Sequence, residues 1–181
     1  MLDNISESRL GEVQPGLAEK IRDMARMLAT ESIVFRVTQG LRTWDEQEKL
    51  WRKGRDANGN VIDAAGIVTK APPGYSWHNF GLAVDVVPDD ASLTGFQADW
   101  NIHHPVWNRL IETGESLGLV SGAEWRSFPD WPHLQSTGRF PATPTDEVRR
   151  IYRDLGIRGV WAEAFNSLDA PQLGVDEATQ I

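Results

Sequence analysis

Within Pro15–Ala29 the apolar residues Leu17, Ile21, Met24, Ala25 and Leu28 recur at the spacing of one buried helical face, and they predict a first helix. Ile33–Thr38 (IVFRVT) is β-branched and aromatic and is followed by Gly40, which predicts a strand. Thr43-Trp44-Asp45-Glu46 has the form of a capping box, in which the Thr43 hydroxyl and the Glu46 carboxylate satisfy each other's free amides, so a second helix should run to Lys53. Gly54–Ala71, with its Asn58-Gly59 turn and scattered small residues, reads as a hairpin or exposed loop.

Leu82–Val87 (LAVDVV) is a short apolar run closed by Pro88, the pattern of a buried strand, and Pro105–Leu119 returns to helical spacing through Val106, Leu110, Ile111 and Leu117. Asp130–Leu134 (DWPHL) predicts another strand, with turns at Gly118 and Gly122 before it. Thr143 as a cap and Pro144 at the first helical position predict a helix through Tyr152, followed by a short one holding Trp161 and Phe165. The sum is an α+β fold, a small central antiparallel sheet flanked by helices, with no internal repeat.

Length and composition narrow this further. A chain of 181 residues, 40% hydrophobic, suits one compact domain, taken here as residues 1–168, with 169–181 an acidic tail poor in large apolar groups. There is no cysteine, which excludes disulfides, thiolate metal sites and thiol nucleophiles and leaves His and carboxylates as the only metal ligands. The net charge of −8 argues against a phosphate-backbone binder, so no nucleic acid partner is expected. Met1–Gly16 has no apolar run fit for a signal peptide and no stretch reaches transmembrane length, so the expectation is a soluble chain made in the cytoplasm, without membrane insertion, and a monomer. Three of the eight tryptophans, Trp77, Trp125 and Trp131, lie close to polar residues of interest and hint at an aromatic-walled cleft.

Chemistry concentrates in two places. A charge inside an apolar strand costs several kcal/mol unless it is paired or bound to a metal, so Asp85 within LAVDVV demands a partner. His78, beyond Gly81, is near enough for a loop to fold it back beside that carboxylate, and Ser76 to Asp85 together read S-x-H-x-x-G-x-x-x-D. Asp130-Trp131-Pro132-His133 adds a second imidazole and a second carboxylate. Catalytic zinc sites use three protein ligands and keep a position open, a quota that His78, Asp85 and His133 fill. Asp130 is left free to act as general base toward an attacking water and to return the proton to the departing amine. Taken singly, hydrogen-bonded histidines and capping aspartates are the commoner roles. Taken together the balance reverses, because two of only four histidines sit in such motifs.

The remaining pair, His103-His104, stands before Pro105 like a helix entrance and is left out of the metal site. Asp56, Asn58, Asn60 and Asp63 resemble part of a calcium loop but lack its glycine and terminal glutamate, so a solvated turn is the better reading. A serine hydrolase fails for want of G-x-S-x-G, and Ser76 is too close in sequence to His78 for that histidine to serve easily as its base.

These residues resemble the zinc peptidases that include D-alanyl-D-alanine carboxypeptidases and L-alanyl-D-glutamate peptidoglycan endopeptidases. The signature S-x-H-x-x-G-x-A-x-D with a later [ED]-x-x-H is matched by Ser76, His78, Gly81, Ala83, Asp85, Asp130 and His133, and the likeness spans roughly residues 15–140. It implies one catalytic Zn2+ held by His78, Asp85 and His133 at the sheet in an open cleft, with Asp130 as general base. Gly40-Leu41-Arg42-Thr43 and Gln47 look like the family's substrate-side motif. That implies an Arg42 guanidinium stabilising the oxyanion or a substrate carboxylate, with an ion pair to Asp45 or Glu46 as the plainer alternative. Gln47 and Ser76 would then offer hydrogen bonds to the substrate, unless they are local caps.

SWHNFGLAVDVV looks closest to the endopeptidase branch, whose members include phage lysins. The leading expectation is therefore a bacteriolytic, endolysin-like peptidase that cleaves the L-Ala–D-Glu bond of peptidoglycan stem peptides and reaches the cell wall through a membrane pore; a bacterial cytoplasmic origin stays open. A D-Ala-D-Ala carboxypeptidase or dipeptidase is the near rival. A zinc-stabilised binding module without catalysis is the distant one, disfavoured because it has no need of a free carboxylate beside the metal.

Overall fold

The computed structural model describes residues 1–165. Its elements run α1 (Asn4–Leu10), α2 (Pro15–Ala29), β1 (Phe35–Gln39), α3 (Trp44–Trp51), β2 (Ala83–Pro88), α4 (Pro105–Ser116), β3 (Val120–Gly122), β4 (Asp130–Gln135) and α5 (Asp146–Phe165). The strands form one antiparallel sheet in the order β1-β2-β4-β3, so β2 and β4 are neighbours at its centre. The fold is α+β, as the alternation of helical and strand patterns predicts.

The period-2 alternation of a strand gives the sheet two unlike faces. Val84 and Val86 of β2, with Leu134 of β4 and Phe35 and Val37 of β1, pack on Leu17, Ile21, Met24 and Leu28 of α2 and Leu110 of α4. Burying each such side chain is worth about 1.5–3 kcal/mol before ordering costs. The intervening residues Asp85 and His133 therefore leave the sheet on the other side. There a second cluster, including Trp77, Phe80, Leu82, Phe140, Val148 and Val160, joins the Trp77–Phe80 turn to α5.

The expected elements are found with shifted ends. The strand predicted over Ile33–Thr38 is β1, two residues later at its start. The capping box at Thr43 and Glu46 is formed in both directions, and α3 ends at Trp51. Within Gly54–Ala71 the only pairing is a bridge between Arg55 and Val61, and a single 3-10 turn covers Ala64–Gly66. The helix expected from Pro144 starts instead at Asp146, and Gly156 (φ 68°, ψ −170°) breaks helical geometry and divides α5 into two helical segments, the first containing Tyr152 and the second reaching Phe165, as the pattern predicts. Trp161 and Phe165 lie on the segment past that kink. Pro144 is buried just before the helix and its carbonyl accepts from Arg149 Nη1 at 3.2 Å.

The sequence pattern does not predict α1. This seven-residue helix carries only Ile5 and Leu10 as large apolar groups, too few to display a period. It is fixed by Asp3, whose side chain accepts from Ser6 N at 2.8 Å and from Arg36 Nε of β1 at 2.5 Å. The short strand β3 is likewise unforeseen, because three residues ending in glycine carry no alternation. The acidic tail lies outside the described residues.

Candidate metal centre and active site

Asp85 and His133 are direct cross-strand partners in the β2–β4 ladder, so their side chains rise from the same face of the sheet. Asp85 Oδ1 lies 3.4 Å from His133 Nδ1. His78 comes in from the 3-10 turn Trp77–Phe80, which Gly81 ends in the left-handed conformation at φ 63°, ψ 26°. Leu82 N then donates to Trp77 O at 3.1 Å, and the chain enters β2 with His78 folded back over it. His78 Nε2 lies 3.1 Å from Asp85 Oδ1 and 3.2 Å from His133 Nδ1. Among the described residues this is the one group of His, Cys, Asp or Glu placed to share a metal ion.

The donor set fits zinc. Four ligands at about 2.0–2.1 Å in a tetrahedron stand about 3.3 Å from one another, close to the 3.1, 3.2 and 3.4 Å separations found here. The outer partners fit as well. His78 Nδ1 lies 2.9 Å from Gly40 O, and a carbonyl can only accept, so the proton sits on Nδ1 and the Nε2 lone pair faces the cluster. His133 Nε2 lies 3.0 Å from Gln135 Oε1, which leaves Nδ1 for the cluster. His103 and His104 stay apart, His104 Nδ1 lying 3.4 Å from Asp99 Oδ2.

In a regular strand Asp130 and His133, three residues apart, would point to opposite faces. The β3–β4 pairing resolves this: Ser121 faces Leu134 but Gly122 faces Asp130, an irregularity that takes residues 131–133 out of step and re-aims Asp130. Gly122 is needed for that crossing, since a Cβ there would stand 2.7 Å from Asp130 O. Burial raises the Asp130 carboxyl above its ordinary value, and the charge of Asp85 adds to it, against the opposing pull of His133, His78 and Arg42. Burial alone would raise Asp85 too, but the His78 and His133 imidazoles set against it outweigh that and hold this carboxylate well below the usual range. Burial pushes His78 down, keeping its imidazole neutral. The two carboxylates are thus shifted in opposite directions, Asp85 down and Asp130 up.

Arg42 is not paired with Asp45 or Glu46. Its Nη2 donates to Asp85 Oδ2 at 3.1 Å and its Nη1 to Gln47 Oε1 at 3.0 Å, and its backbone N donates to His78 O at 3.0 Å. Gln47 is fully buried and its Nε2 donates to Ala71 O at 2.7 Å, so both ends of this amide are engaged by the protein in holding Arg42. Ser76 stands half-buried at the start of the 3-10 turn with no capping bond from its hydroxyl. Asn79, inside the motif but not singled out by it, donates to Arg42 O at 2.9 Å and accepts from Gly74 N at 3.0 Å. Gly40 and Gln135 are the other contributors that the motif does not name. Gln135 lies two residues after His133 on a strand, and that same-face position was the readable signal.

The tryptophans divide. Trp125 lies with its ring centroid 4.9 Å from that of His133 and forms a wall of the site. Its loop is tied to the 54–71 segment by Lys70 Nζ, which donates to Ser127 O at 2.9 Å. Trp131 packs on Trp107, and Trp77 is buried against Phe140. A cavity of 1390 Å³ between Leu41–Asp45 and the first half of α5 meets the site at Arg42 and Asn79. Near Asn58 there is no free cation cradle: Asp56 Oδ1 accepts from Asn58 N and Asn60 N, and Oδ2 from Asn60 Nδ2. Among the described residues no helix is long and apolar enough to cross a membrane.

This chain is similar to known proteins. Peptidoglycan L-alanyl-D-glutamate endopeptidase CwlK of Bacillus subtilis (strain 168) is 30% identical over 128 residues, 68% of this chain and 73% of CwlK. Among solved structures, the zinc complex of a variant of the vancomycin-resistance D,D-pentapeptidase VanY from a VanB-type cassette has a TM-score of 0.53 at 21% identity, covering 70% of this chain and 73% of that one. The LD-carboxypeptidase LdcB has a TM-score of 0.51 at 20% identity, covering 70% of this chain and 66% of that one. These two show the shared fold. The model of the VanY family, described as D-alanyl-D-alanine carboxypeptidase, matches residues 11–127, taking in His78 and Asp85, to which the β2–β4 ladder joins His133. The chain belongs to the VanY family of D-alanyl-D-alanine carboxypeptidases.

Proposed function

We propose that this protein is a zinc peptidase of the peptidoglycan stem peptide that hydrolyses the bond between L-alanine and D-glutamate. The observation that carries the reading is the meeting of His78, Asp85 and His133 beside a free, partly desolvated Asp130 in a chain 30% identical to an L-alanyl-D-glutamate endopeptidase. Zinc held by the two imidazoles and Asp85 would supply Lewis-acid polarisation of the scissile carbonyl and bring the pKa of a water to about 7.

The protein's own groups do the rest. Asp130 accepts the proton of the attacking water as its oxygen bonds to the carbonyl carbon. The same carboxyl then gives that proton to the departing amine nitrogen as the C–N bond breaks. Its raised pKa suits both halves of the task. Arg42, held by Gln47 and Asp85, presents fixed positive charge to the oxygen that becomes anionic. In this reading Ser76 and Trp125 contact the peptide.

The family's description as D-alanyl-D-alanine carboxypeptidase supports the second reading, release of a terminal D-alanine. One assay separates the two. Zinc-loaded protein is incubated with muropeptides and the products are weighed by mass spectrometry. A new N-terminal D-glutamate, abolished by chelator and restored by zinc, is the expected result; free D-alanine would move the assignment to the carboxypeptidase. Stoichiometric zinc without cleavage would leave a binding module. Turbidity loss of intact cell walls exposed to the protein would further support a lysin.

A further inference from the structure

Beside one of the metal-facing imidazoles, a polar side chain outside the signature residues is buried. Gln135 is 2% exposed at the end of β4. Its Nε2 donates to Ala142 O at 3.1 Å and its Oε1 lies 3.0 Å from His133 Nε2. The sense of each bond follows in turn. A backbone carbonyl has no proton to give, so the end of the amide facing Ala142 is the NH2. The end facing His133 is then the oxygen, which can only accept. His133 must therefore carry its proton on Nε2, and its Nδ1 lone pair points at His78 and Asp85.

The same Ala142 carbonyl accepts a second bond, from Trp77 Nε1 at 2.9 Å. Trp77 directly precedes His78. Both lone pairs of one carbonyl are thus taken up by the residues that support the two metal-facing imidazoles, although His78 and His133 are 55 residues apart in sequence. His78 has in addition its own carbonyl, Gly40 O. Phe140 stacks on Trp77 at 5.8 Å and holds the 137–144 loop, and so its carbonyl, against the site.

We infer that Gln135 is a positioning residue that sets the tautomer and ring orientation of His133, and that the Ala142 carbonyl is the common anchor of both histidine segments. The inference rests on the zinc reading for its consequence but not for its geometry. Outer partners of this kind are worth about 10–100-fold in metal affinity. Gln135→Met keeps length and apolar volume but cannot accept from Nε2–H in the same way, and should weaken zinc binding by about 10–100-fold in competition with a chelator. Gln135→Glu keeps an acceptor toward His133 and should bind zinc more tightly than the Met variant, while losing the bond to Ala142.

The deciding measurement needs neither metal nor turnover. Nitrogen-15 spectra of the imidazoles in zinc-free wild-type protein, at a pH above the His133 titration, should show the His133 proton on Nε2. In Gln135→Met the tautomer should become mixed. A proton on Nδ1 in the wild type, or a Met variant with wild-type tautomer and wild-type zinc affinity, would overturn the inference. An Nε2 proton in a protein that takes up no zinc would instead leave Gln135 in its role and sink the metal reading.

Discussion

His78 Nε2 and His133 Nδ1 stand 3.2 Å apart, and each ring has its other nitrogen already committed, to Gly40 O and to Gln135 Oε1. With Asp85 beside them, the two imidazoles form a set of three donors that a divalent cation would satisfy together. Replacing His78, Asp85 or His133 by alanine should abolish stoichiometric zinc and activity. Wild type at a zinc excess of about 1000-fold over Kd should gain about 4 kcal/mol of stability, and the variants should gain almost none. Thermal melts with and without zinc check this, and a variant that still melts higher with zinc is not missing a ligand.

Asp130→Asn removes the base and keeps the shape. Zinc content should remain stoichiometric while kcat falls about 100- to 10,000-fold, the usual worth of a general acid–base. Metal analysis and steady-state rates on one preparation test it; sustained turnover would place the base elsewhere.

Arg42→Lys keeps a positive charge but loses the planar fork that reaches Gln47 and Asp85 together. Turnover should drop by roughly 100-fold or more, as for loss of one oxyanion donor. If instead only KM rises, Arg42 binds substrate and does not act on the transition state.

Gly81→Ala forces a non-glycine residue to φ 63° and brings a Cβ to 3.1 Å from Trp161. The strain should cost about 1–3 kcal/mol, measured by urea unfolding, and zinc affinity should fall with it because this turn delivers His78. Wild-type stability would mean the turn relaxes without displacing the imidazole.

Asp3 caps α1 and pairs with Arg36. Burial opposes, but the bonds to Ser6 and the charge of Arg36 prevail and lower its pKa. A depressed folded value means the stabilisation is present above the ordinary carboxylate range and is lost as pH falls through the folded value. Asp3→Ala should cost about 1 kcal/mol at neutral pH. The difference from wild type should close as pH falls below the folded value of Asp3, where its carboxyl is protonated. An undiminished gap there would assign the loss to packing.

How far the sequence could be read follows from what each residue does. The α2 face, the Thr43 box and the LAVDVV strand were legible because period and capping are local. The pairing of Asp85 with Asp130-x-x-His133 was legible as chemistry, since an aspartate in an apolar run needs a partner. That Asp130 and His133 reach the same face was not, because a strand of regular period sets them apart and only the Gly122 irregularity brings them together. Gln47 read as a substrate contact, and its burial against Ala71 O shows how a polar residue near a motif can serve the motif's own side chains. The α5 start moved to Asp146 because Pro144 is held by packing and by Arg149.

The centre of the sheet carries the last point. Asp85 and His133 owe their closeness to one rung of a backbone ladder, not to flexible loops, so a slip of one residue between β2 and β4 would carry one of them to the opposite face and the site would be lost. The surroundings of that rung, the 54–71 and 123–129 loops and the groove along α5, stand outside the β2–β4 pairing and can be rebuilt without shifting it.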